Sequence, residues 1–582
     1  MTSSELRKEF LDFFKQRGHK VVGSSSLIPD DESVLLTTAG MQQFVPELSC
    51  KIKPRYKRAC SVQKCFRTPD IEEVGDDIHH TFFEMLGNWS FGDYFKEQAI
   101  KWALEFLIQE CGLSKERLWV TVFKGNKEIL KDKESIKIWR EQGFPKEQIK
   151  EFGIQDNFWG PTSQTGPCGP CSEIHYDRGR KFSKNKCSIK GCGPNCGCGR
   201  FVEIWNLVFM EYNKTKQAKF EPLPAKNVDT GIGFERLVAI LQEKSSSYET
   251  DLFLPLIESI EKQSSKKYKE EERIFRIITD HIRGSVFLIA DGLLPSNTDR
   301  GYVLRRILRR AIRYSKVLNL QKNWYADLIK EIIEIYGQVY PEIQRKEADI
   351  ITVIQKEEEK FSKALAKGIK KTNSIVAKGD IGGKEAFDLY QTYGFPIEMI
   401  KELAKEHNRR VDEKSFNKEL EKHREISRAG AEKKFGGGGE ISPELHTATH
   451  LLHQALRNVL GKHVKQMGSD INSERLRFDF SHPEKMIPEQ IKKVEDIVNQ
   501  KIKENLTVAE KEMSLNQAIK SGALSFFKEK YPDIVKVYSI GDFSKEICAG
   551  PHVKRTGELG VFKIIKEQSS GAGVRRIKAI LK

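Results

Sequence analysis

The spacing of apolar and polar positions predicts several kinds of secondary structure along the chain. Near the start, apolar side chains recur at helical spacing over residues 3–18, which predicts an amphipathic helix. The apolar run at 34–38 predicts a short strand, and residues 58–67 alternate sufficiently to predict a longer one. From about residue 238 to residue 429 the spacing is strongly helical, so a mainly helical region follows a region that contains strands.

A regular amphipathic pattern occurs at residues 300–313, where Leu304, Ile307, Leu308 and Ala311 form an apolar stripe. Arginine dominates the rest of this helix. A charge-rich helix is usually a solvated face, but here the charge has one sign over two turns, so we expect contact with phosphate groups. The arginines concerned are Arg305, Arg306, Arg309, Arg310 and Arg313.

Four consecutive glycines at 436–439 interrupt the helical pattern and predict a flexible linker over residues 431–445. Residues 446–460 then resume helical spacing. A chain of 582 residues is too long for one core and implies roughly three to four domains. We therefore expect an α+β multidomain protein.

Net charge and cysteine placement narrow the class of protein. The formal net charge of +16, spread along the chain, suggests a polyanionic partner, with nucleic acid favoured over a generic role in solubility. No apolar run follows the first Met, and no segment reaches the ~20 apolar residues that cross a bilayer, so we expect a cytoplasmic protein without a membrane partner. The eleven cysteines are clustered, which favours metal binding over disulfides.

Two ligand pairs near the C-terminus predict a zinc site. His446 and His450 are four residues apart, so on a helix both imidazoles reach the same ion. Cys548 and His552 have the same separation and complete a set of three nitrogens and one sulfur. One His pair alone is more often a core or surface couple, but the presence of both pairs favours zinc.

A second cysteine cluster lies in a glycine-rich segment. Its four members, Cys187, Cys192, Cys196 and Cys198, resemble a small structural zinc knuckle, although free thiols in a loop are the alternative. A further C-x2-C pair, Cys168 and Cys171, is less expected to bind metal because it lies within a longer motif, TGPCGPC.

Five ordered motifs give the chain a specific resemblance. They are Arg67 followed by FFEMLGNWSFGDYF, then NFW at 157–159, TGPCGPC at 165–171, EIWNLVFMEYN from Glu203 and VDTGIGFERL from Val228. Together they resemble the catalytic domain of the alanyl-tRNA synthetase family. The resemblance implies a class II synthetase antiparallel sheet with flanking helices, and activation of alanine with ATP before transfer to tRNA(Ala).

The resemblance also implies roles for individual residues. Arg67 matches the arginine that holds the α-phosphate, Arg236 the arginine near the γ-phosphate, and Asp229 the carboxylate that binds the substrate ammonium. Magnesium is expected with the triphosphate, although no dedicated carboxylate cage is evident. The remaining pocket positions for alanine and ATP are Met85, Trp159, Asn206, Val208, Gly231 and Gly233. Two alternatives, a zinc hydrolase of small esters and a catalytically silent tRNA-binding module, leave the charged residues without a joint role.

For the helical region, the resemblance implies recognition of the acceptor stem of the tRNA and its G·U pair. Asn297 matches an asparagine of that readout. Gln391 stands where family members often have Asp, and an amide both donates and accepts, so we expect a contact whose strength and selectivity are altered.

The C-terminal region resembles the family's editing module, which hydrolyses mischarged Ser-tRNA(Ala) or Gly-tRNA(Ala). A methyl-sized pocket rejects glycine or serine by only ~1–3 kcal/mol, which makes proofreading physically reasonable. His446, His450, Cys548 and His552 match its zinc ligands, while Thr449 and Gln466 match polar pocket positions; whether the zinc is structural or catalytic stays open. Pro551 departs from the usual motif and removes a backbone donor.

The resemblance divides the chain into a catalytic domain at 1–237, a helical tRNA domain at 238–430, the linker at 431–445 and an editing domain at 446–582. Longer family members insert a β-barrel near the linker and continue with a C-terminal extension, and neither is present here. We therefore expect a monomer.

Overall fold

The computed structural model describes residues 1–31, 34–161, 164–183, 187, 192–423, 442–472, 474–524, 532–571 and 573–582. The chain divides into two compact units. The first unit contains Met1–Gly379 and Asp388–Arg410, and the second contains Asp380–Phe387 and Val411–Lys582. The glycines at 436–439, and with them most of the predicted linker at 431–445, lie outside the described residues.

Sixteen strands occur among the described residues. They are β1 (Lys20–Val21), β2 (Arg58–Phe66), β3 (Phe82–Phe91), β4 (Leu118–Phe123), β5 (Ile149–Phe152), β6 (Phe158–Trp159), β7 (Gly166–Asp177), β8 (Phe201–Lys214), β9 (Phe220–Gly233), β10 (Gln466–Ile471), β11 (Leu476–Ser481), β12 (Val508–Ser514), β13 (Ile534–Ile540), β14 (Ser544–Ile547), β15 (Phe562–Gly571) and β16 (Val574–Leu581).

The helices are named in the same way. They are α1 (Ser3–Gln16), α2 (Val45–Leu48), α3 (Lys96–Glu105), α4 (Lys133–Glu141), α5 (Phe234–Leu241), α6 (Leu254–Gln263), α7 (Glu272–Ala290), α8 (Asp299–Val317), α9 (Tyr325–Tyr336), α10 (Pro341–Arg345), α11 (Glu347–Val376), α12 (Gly383–Tyr393), α13 (Ile397–Glu406), α14 (Pro443–Leu460), α15 (Pro488–Lys503) and α16 (Leu515–Lys520). Residues 413–423 are also helical.

The first unit is organised around one large sheet. Its main path has the order β1-β2-β3-β9-β8-β7-β4-β5, and β6 pairs with β7. The inner pairs are antiparallel, whereas β1 and β5 join the two edges in parallel. The predicted antiparallel sheet with flanking helices is therefore confirmed.

Helices pack against this sheet through their apolar sides, and α1 shows the helical spacing of apolar residues that the sequence predicts near the start of the chain. On α1, Leu6, Phe10 and Phe14 are fully buried in the main core. Helix α7 is buried along almost its whole length, from Ile274 to Ala290. A helix that is buried on all sides lies at the centre of a large unit rather than at its surface, and its buried charged residues, such as Asp280 and Arg283, need partners there.

The predicted strand at 34–38 is wrong. This segment forms bends, in which Thr37 donates its N–H to the Leu27 carbonyl at 2.9 Å and accepts from the Phe66 N–H at 2.7 Å. Leu36 is buried but Leu35 is 47% exposed. The apolar run thus anchors a loop through single contacts instead of forming a ladder.

The second unit contains two smaller sheets among its described residues. One has the order β10-β11-β16-β15, and the other has the order β12-β13-β14. Helices α14 and α15 supply Leu451, Leu452, Val494 and Val498 to the core that also includes Phe478. The predicted helix at 446–460 is confirmed as part of α14, which Ser442 caps by accepting from the Leu445 N–H at 3.1 Å. Across the described ranges, no helix has both the length and the apolar composition needed to span a bilayer.

Candidate active site and metal centres

One cavity of the first unit collects nine residues that the sequence places in the catalytic site. It opens beside β3, β8 and β9, the central strands of the large sheet. The nine residues are Arg67, Met85, Trp159, Asn206, Val208, Asp229, Gly231, Gly233 and Arg236. Their roles stay predictions, but they form one site although the sequence separates them by up to 169 residues, from 67 to 236.

Asp229 is the buried carboxylate of this cavity. In the sheet it stands opposite Trp89 of β3 and Val208 of β8. The Trp89 indole N–H donates to Asp229 Oδ1 at 2.6 Å. Burial raises the pKa of Asp229 to about 7, against the opposing effect of the Trp89 hydrogen bond. A cation that enters the cavity would therefore stabilise the ionised form of Asp229.

Small residues let the Trp89 and Met85 side chains lie close to the strands. A Cβ at Gly87 would overlap the Trp89 ring, and a Cβ at Gly40 would lie 2.9 Å from it. A Cβ at Gly231 would lie 2.8 Å from Met85 Sδ. These glycines are thus required for close approach around Asp229.

Arg67 directly follows β2 at one side of the cavity. Its N–H donates to the Thr81 carbonyl at 2.8 Å, and its guanidinium lies 4.9 Å from the centre of the Phe83 ring. In the described part of the chain, no carboxylate lies within 4.0 Å of this guanidinium. Its charge is consequently available for an anionic ligand.

Arg236 lies in the first turn of α5, which begins directly after Gly233. Its Nη1 is 3.3 Å from Glu203 Oε2, and both side chains are about one-third exposed. Asn206 faces Glu173, with its Nδ2 at 3.5 Å from Oε1. Burial raises the pKa of Glu173, although the hydrogen bond from His175 opposes this. Glu203 and Asn206 are the two polar residues of β8 that line the cavity.

A buried ion-pair network lies next to the cavity. Glu235 contacts Arg283 at 3.1 Å and accepts from the Glu84 N–H at 3.2 Å. Glu84 itself pairs with Arg7 of α1. Because the network joins α1, β3, α5 and α7, it fixes the cavity wall to its supporting helices.

Sequence reasoning gave no role to Trp89, Glu203 or Glu235. Trp89 and Glu203 occur in the quoted motifs, and Glu235 directly precedes Arg236, so the motifs contained the signal. Their partners, however, depend on strand register and on packing against α7. That information is not local to the motifs.

Two other pairs of potential metal ligands, His79 with His80 and Cys168 with Cys171, have separate surroundings. His79 contacts Asp76 at 2.7 Å, whereas His80 contacts Ser247 at 2.7 Å, so the adjacent imidazoles serve different partners. Cys168 and Cys171 are buried in β7. Neither pair belongs to a cluster of metal-ligand atoms in the described ranges.

The arginines of α8 are buried or largely buried and are paired with carboxylates of the same chain, so they do not form an exposed basic face. Arg309 contacts Glu357 at 2.7 Å, and Arg310 and Arg313 contact Glu402 at 2.9 and 3.2 Å. The other two behave similarly: Arg305 lies 3.5 Å from Glu357, and Arg306 pairs with Glu72 and Glu398. Contact with phosphate stays a prediction, and the pairing gives these arginines a structural role.

The two residues assigned to the G·U pair are exposed. Asn297 precedes α8 and accepts from Arg305 Nη1, so one buried arginine of α8 positions it. Gln391 lies on α12, within the segment that belongs to the first unit. Their exposure keeps both available to a partner.

The second unit brings the four predicted zinc ligands together. His446 and His450 lie on α14, and Cys548 and His552 follow β14. Their four ligand atoms lie within 4.8 Å of one another, with Cys548 Sγ 3.3 Å from His446 Nε2. This convergence of three imidazoles and one thiol matches a zinc donor set.

Three further observations fit the residues to an ion. His450 Nδ1 and His552 Nε2 have no hydrogen-bond partner among the described residues, although both are buried. Burial lowers the pKa of His446 to about 4 and that of His552 to about 2, so the imidazoles are neutral donors. A Cβ at Gly550 would overlap the His446 ring. The loop therefore needs glycine to reach the ligands.

Neighbouring polar residues have separate hydrogen bonds. Thr447 Oγ1 lies 3.2 Å from His552 Nδ1, which orients the opposite ring nitrogen toward the other ligands. Thr449, predicted for the editing pocket, donates to the Leu445 carbonyl at 2.8 Å. Gln466 begins β10 and donates to Ser469 Oγ at 3.0 Å.

The sheet and its cavity define a class of protein. An antiparallel sheet that presents two arginines and a buried carboxylate to one cavity is the arrangement of a class II aminoacyl-tRNA synthetase. The family model described as "tRNA synthetases class II (A)" matches residues 5–472, and that of the "Threonyl and Alanyl tRNA synthetase second additional domain" matches residues 535–578.

Curated relatives narrow the assignment further. An alanine–tRNA ligase of Borrelia hermsii (strain HS1 / DAH) is 50% identical, over 100% of this chain and 100% of the relative. One of Treponema pallidum (strain Nichols) is 48% identical, over 100% and 98%, and one of Petrotoga mobilis (strain DSM 10674 / SJ95) is 39% identical, over 100% and 80%. The chain belongs to the alanyl-tRNA synthetase family.

Proposed function

We propose that the chain is an alanine–tRNA ligase. The alanine carboxylate attacks the α-phosphorus of ATP, which forms alanyl-adenylate and releases pyrophosphate. The terminal adenosine hydroxyl of tRNA(Ala) then attacks the activated carbonyl, which releases AMP. The observation that carries this proposal is that buried Asp229, Arg67 and Arg236 line one cavity.

Each charged group has a distinct role in this proposal. Asp229 receives the ammonium of alanine, and Arg67 and Arg236 bind the α- and γ-phosphates. Little covalent help is needed for attack on phosphorus, so positioning and charge neutralisation supply the catalysis. Magnesium neutralises the triphosphate when bound, and the partly exposed carboxylates of Asp70 and Glu203 are the lining groups that would hold it.

Exchange between ATP and labelled pyrophosphate tests the activation step. Alanine should stimulate exchange by the intact chain, and Asp229→Asn should abolish that stimulation because the amide cannot supply the charge that balances the ammonium. Asp132→Asn is a matched control, since Asp132 is also buried in the first unit but caps α4. Absence of alanine-stimulated exchange by the unmodified chain would refute the ligase assignment.

The second unit is proposed to hydrolyse Ser-tRNA(Ala) and Gly-tRNA(Ala). Two findings support an editing module: the family match at residues 535–578 and the four converging zinc ligands. Because four protein donors converge, we favour a structural zinc whose four coordination positions are all filled by protein over a catalytic zinc with one open position. This ion would link α14 to the loop after β14. Zinc would then supply a fixed frame for the hydrolytic pocket, to which Thr449 and Gln466 are assigned.

Deacylation of Ser-tRNA(Ala) tests this second activity. Cys548→Ala should leave alanine-stimulated exchange unchanged while Ser-tRNA(Ala) persists. Unchanged deacylation by this variant would contradict the assignment.

The acceptor-stem proposal is tested by charging tRNA with and without the G·U pair. Equal charging rates would show that Asn297 and Gln391 do not recognise this pair. Sedimentation of the purified chain tests the proposed monomer.

A further inference from the structure

We propose that Cys187, Cys192, Cys196 and Cys198 bind one zinc ion, separate from the ion of the second unit. All four lie in the connection between β7 and β8, and their sulfur atoms lie within 4.8 Å of one another. The ligand class is four thiolates, in contrast to the three imidazoles and one thiolate of the other site.

The sulfur distances match a single tetrahedral ion. Cys187 Sγ lies 3.2 Å from Cys196 Sγ, and Cys192 Sγ lies 3.5 Å from Cys198 Sγ. A disulfide requires about 2.05 Å, so neither pair is bonded. Four sulfurs at about 2.3 Å from zinc are roughly 3.8 Å from one another in a tetrahedron, close to the arrangement observed.

The surroundings of the thiols do not otherwise explain why they meet. Cys187, Cys192 and Cys196 are only partly buried, and the short segment that joins the last three cysteines consists of Gly193, Pro194, Asn195 and Gly197, which offer little apolar surface. Thiols are weak hydrogen-bond donors and acceptors, and four of them in mutual contact gain little from one another. A bound ion supplies the missing attraction.

The site closes the hairpin that carries part of the catalytic cavity. Asp177 and Phe201 form the last pair of the β7–β8 ladder, and Arg200 binds Asp177 at 2.7 Å. The Cys192 side chain also interacts with Arg200. Glu203 and Asn206, which line the cavity, follow directly on β8. The ion would thus fix the end of the strand that positions these two side chains.

Metal counting on the full chain tests the proposal without measuring catalysis. The intact protein should contain two zinc ions per chain. The double variant Cys192→Ser and Cys198→Ser should retain one, as should His446→Ala and Cys548→Ala, and the combination of all four should retain none. Cys111→Ser is a matched control because Cys111 is partly buried but lies outside both clusters, and it should retain two.

Cobalt substitution identifies the ligands even if a cysteine variant folds poorly. In the variant with His446→Ala and Cys548→Ala, cobalt should give the absorption of a tetrahedral tetrathiolate site. Removing the metal should also abolish exchange protection of the Arg178 and Cys196 N–H groups, which bond to the Arg200 and Gly193 carbonyls. Zinc content that the Cys192→Ser and Cys198→Ser variant leaves unchanged, iron in place of zinc, or a disulfide-linked cluster in the purified protein would each overturn the proposal.

Discussion

Replacing Trp89 with Phe should weaken alanine binding through the ionisation of Asp229. The substitution removes the 2.6 Å hydrogen bond to Asp229 Oδ1 and keeps most of the aromatic volume between Gly40 and Gly87. A hydrogen bond to a charged group contributes about 1.5–3 kcal/mol, so its loss should raise the Asp229 pKa by about 1–2 units. Starting from a pKa of about 7, the ionised fraction at neutral to mildly alkaline pH then decreases markedly.

This change in ionisation predicts a specific kinetic result. At about pH 7.5 the apparent KM for alanine in pyrophosphate exchange should rise roughly 3- to 25-fold, from the ratio of ionised fractions at the two pKa values. The KM for ATP should change little, because Asp229 is proposed to bind only the ammonium. The alanine defect should also shrink as the pH approaches about 9, where the raised pKa is overcome.

Trp139→Phe provides the matched comparison. Trp139 is also fully buried, and its indole N–H donates at 2.8 Å, but the acceptor is the neutral Ser172 hydroxyl. This variant should reproduce any general loss of stability without the pH-dependent change in KM. Equal effects of both variants on alanine KM, or a Trp89→Phe defect that is independent of pH, would refute the electrostatic explanation.

Three further predictions concern other parts of the chain. For the intact protein, the alanine KM should rise about tenfold per pH unit as the pH falls below the Asp229 pKa of about 7, since the raised pKa leaves the carboxyl protonated there. A flat profile from about pH 5 to about pH 8 would contradict this. Gly550→Ala should remove the zinc of the second unit, as measured by metal content, because the new Cβ overlaps His446. Gly468→Ala, whose Cβ would make only ordinary contacts with Asp479, is the comparison. Glu402→Ala should lower the free energy of unfolding by about 3–5 kcal/mol, measured by denaturant titration, because it leaves buried Arg310 without its carboxylate partner, whereas Arg313 keeps Glu406; Lys401→Ala should not. Although burial opposes it, Arg310 lowers the Glu402 pKa, so this stabilisation should be present above the ordinary value of 4.5 and lost as the pH falls below it.

The residues of both principal sites were accessible to sequence reasoning because their spacing is local or belongs to a recognisable motif. His446 and His450 are one helical turn apart, and α14 places both imidazoles on one side. Arg67 and Arg236 belong to motifs that end a strand or begin a helix. Such positions depend mainly on local structure.

What the sequence did not reveal depends on contacts between distant segments. The arginines of α8 are visible as a basic pattern, but Arg310 is paired with Glu402, 92 residues later, and Arg309 with Glu357, 48 residues later. One-signed charge on a helix therefore does not establish exposure. The Trp89–Asp229 hydrogen bond likewise depends on the register of β3 against β9, which the separate motifs do not specify.

The two buried carboxylates of the cavity show why only one of them is suited to bind an ammonium. Burial raises the pKa of both Asp229 and Glu235 to about 7. Glu235 already has the Arg283 guanidinium at 3.1 Å and the Glu84 N–H at 3.2 Å, so an additional cation would compete with an existing ion pair. Asp229 has the neutral Trp89 indole instead. A substrate ammonium therefore supplies the positive partner that buried Asp229 lacks, and its binding favours the ionised form of this carboxylate.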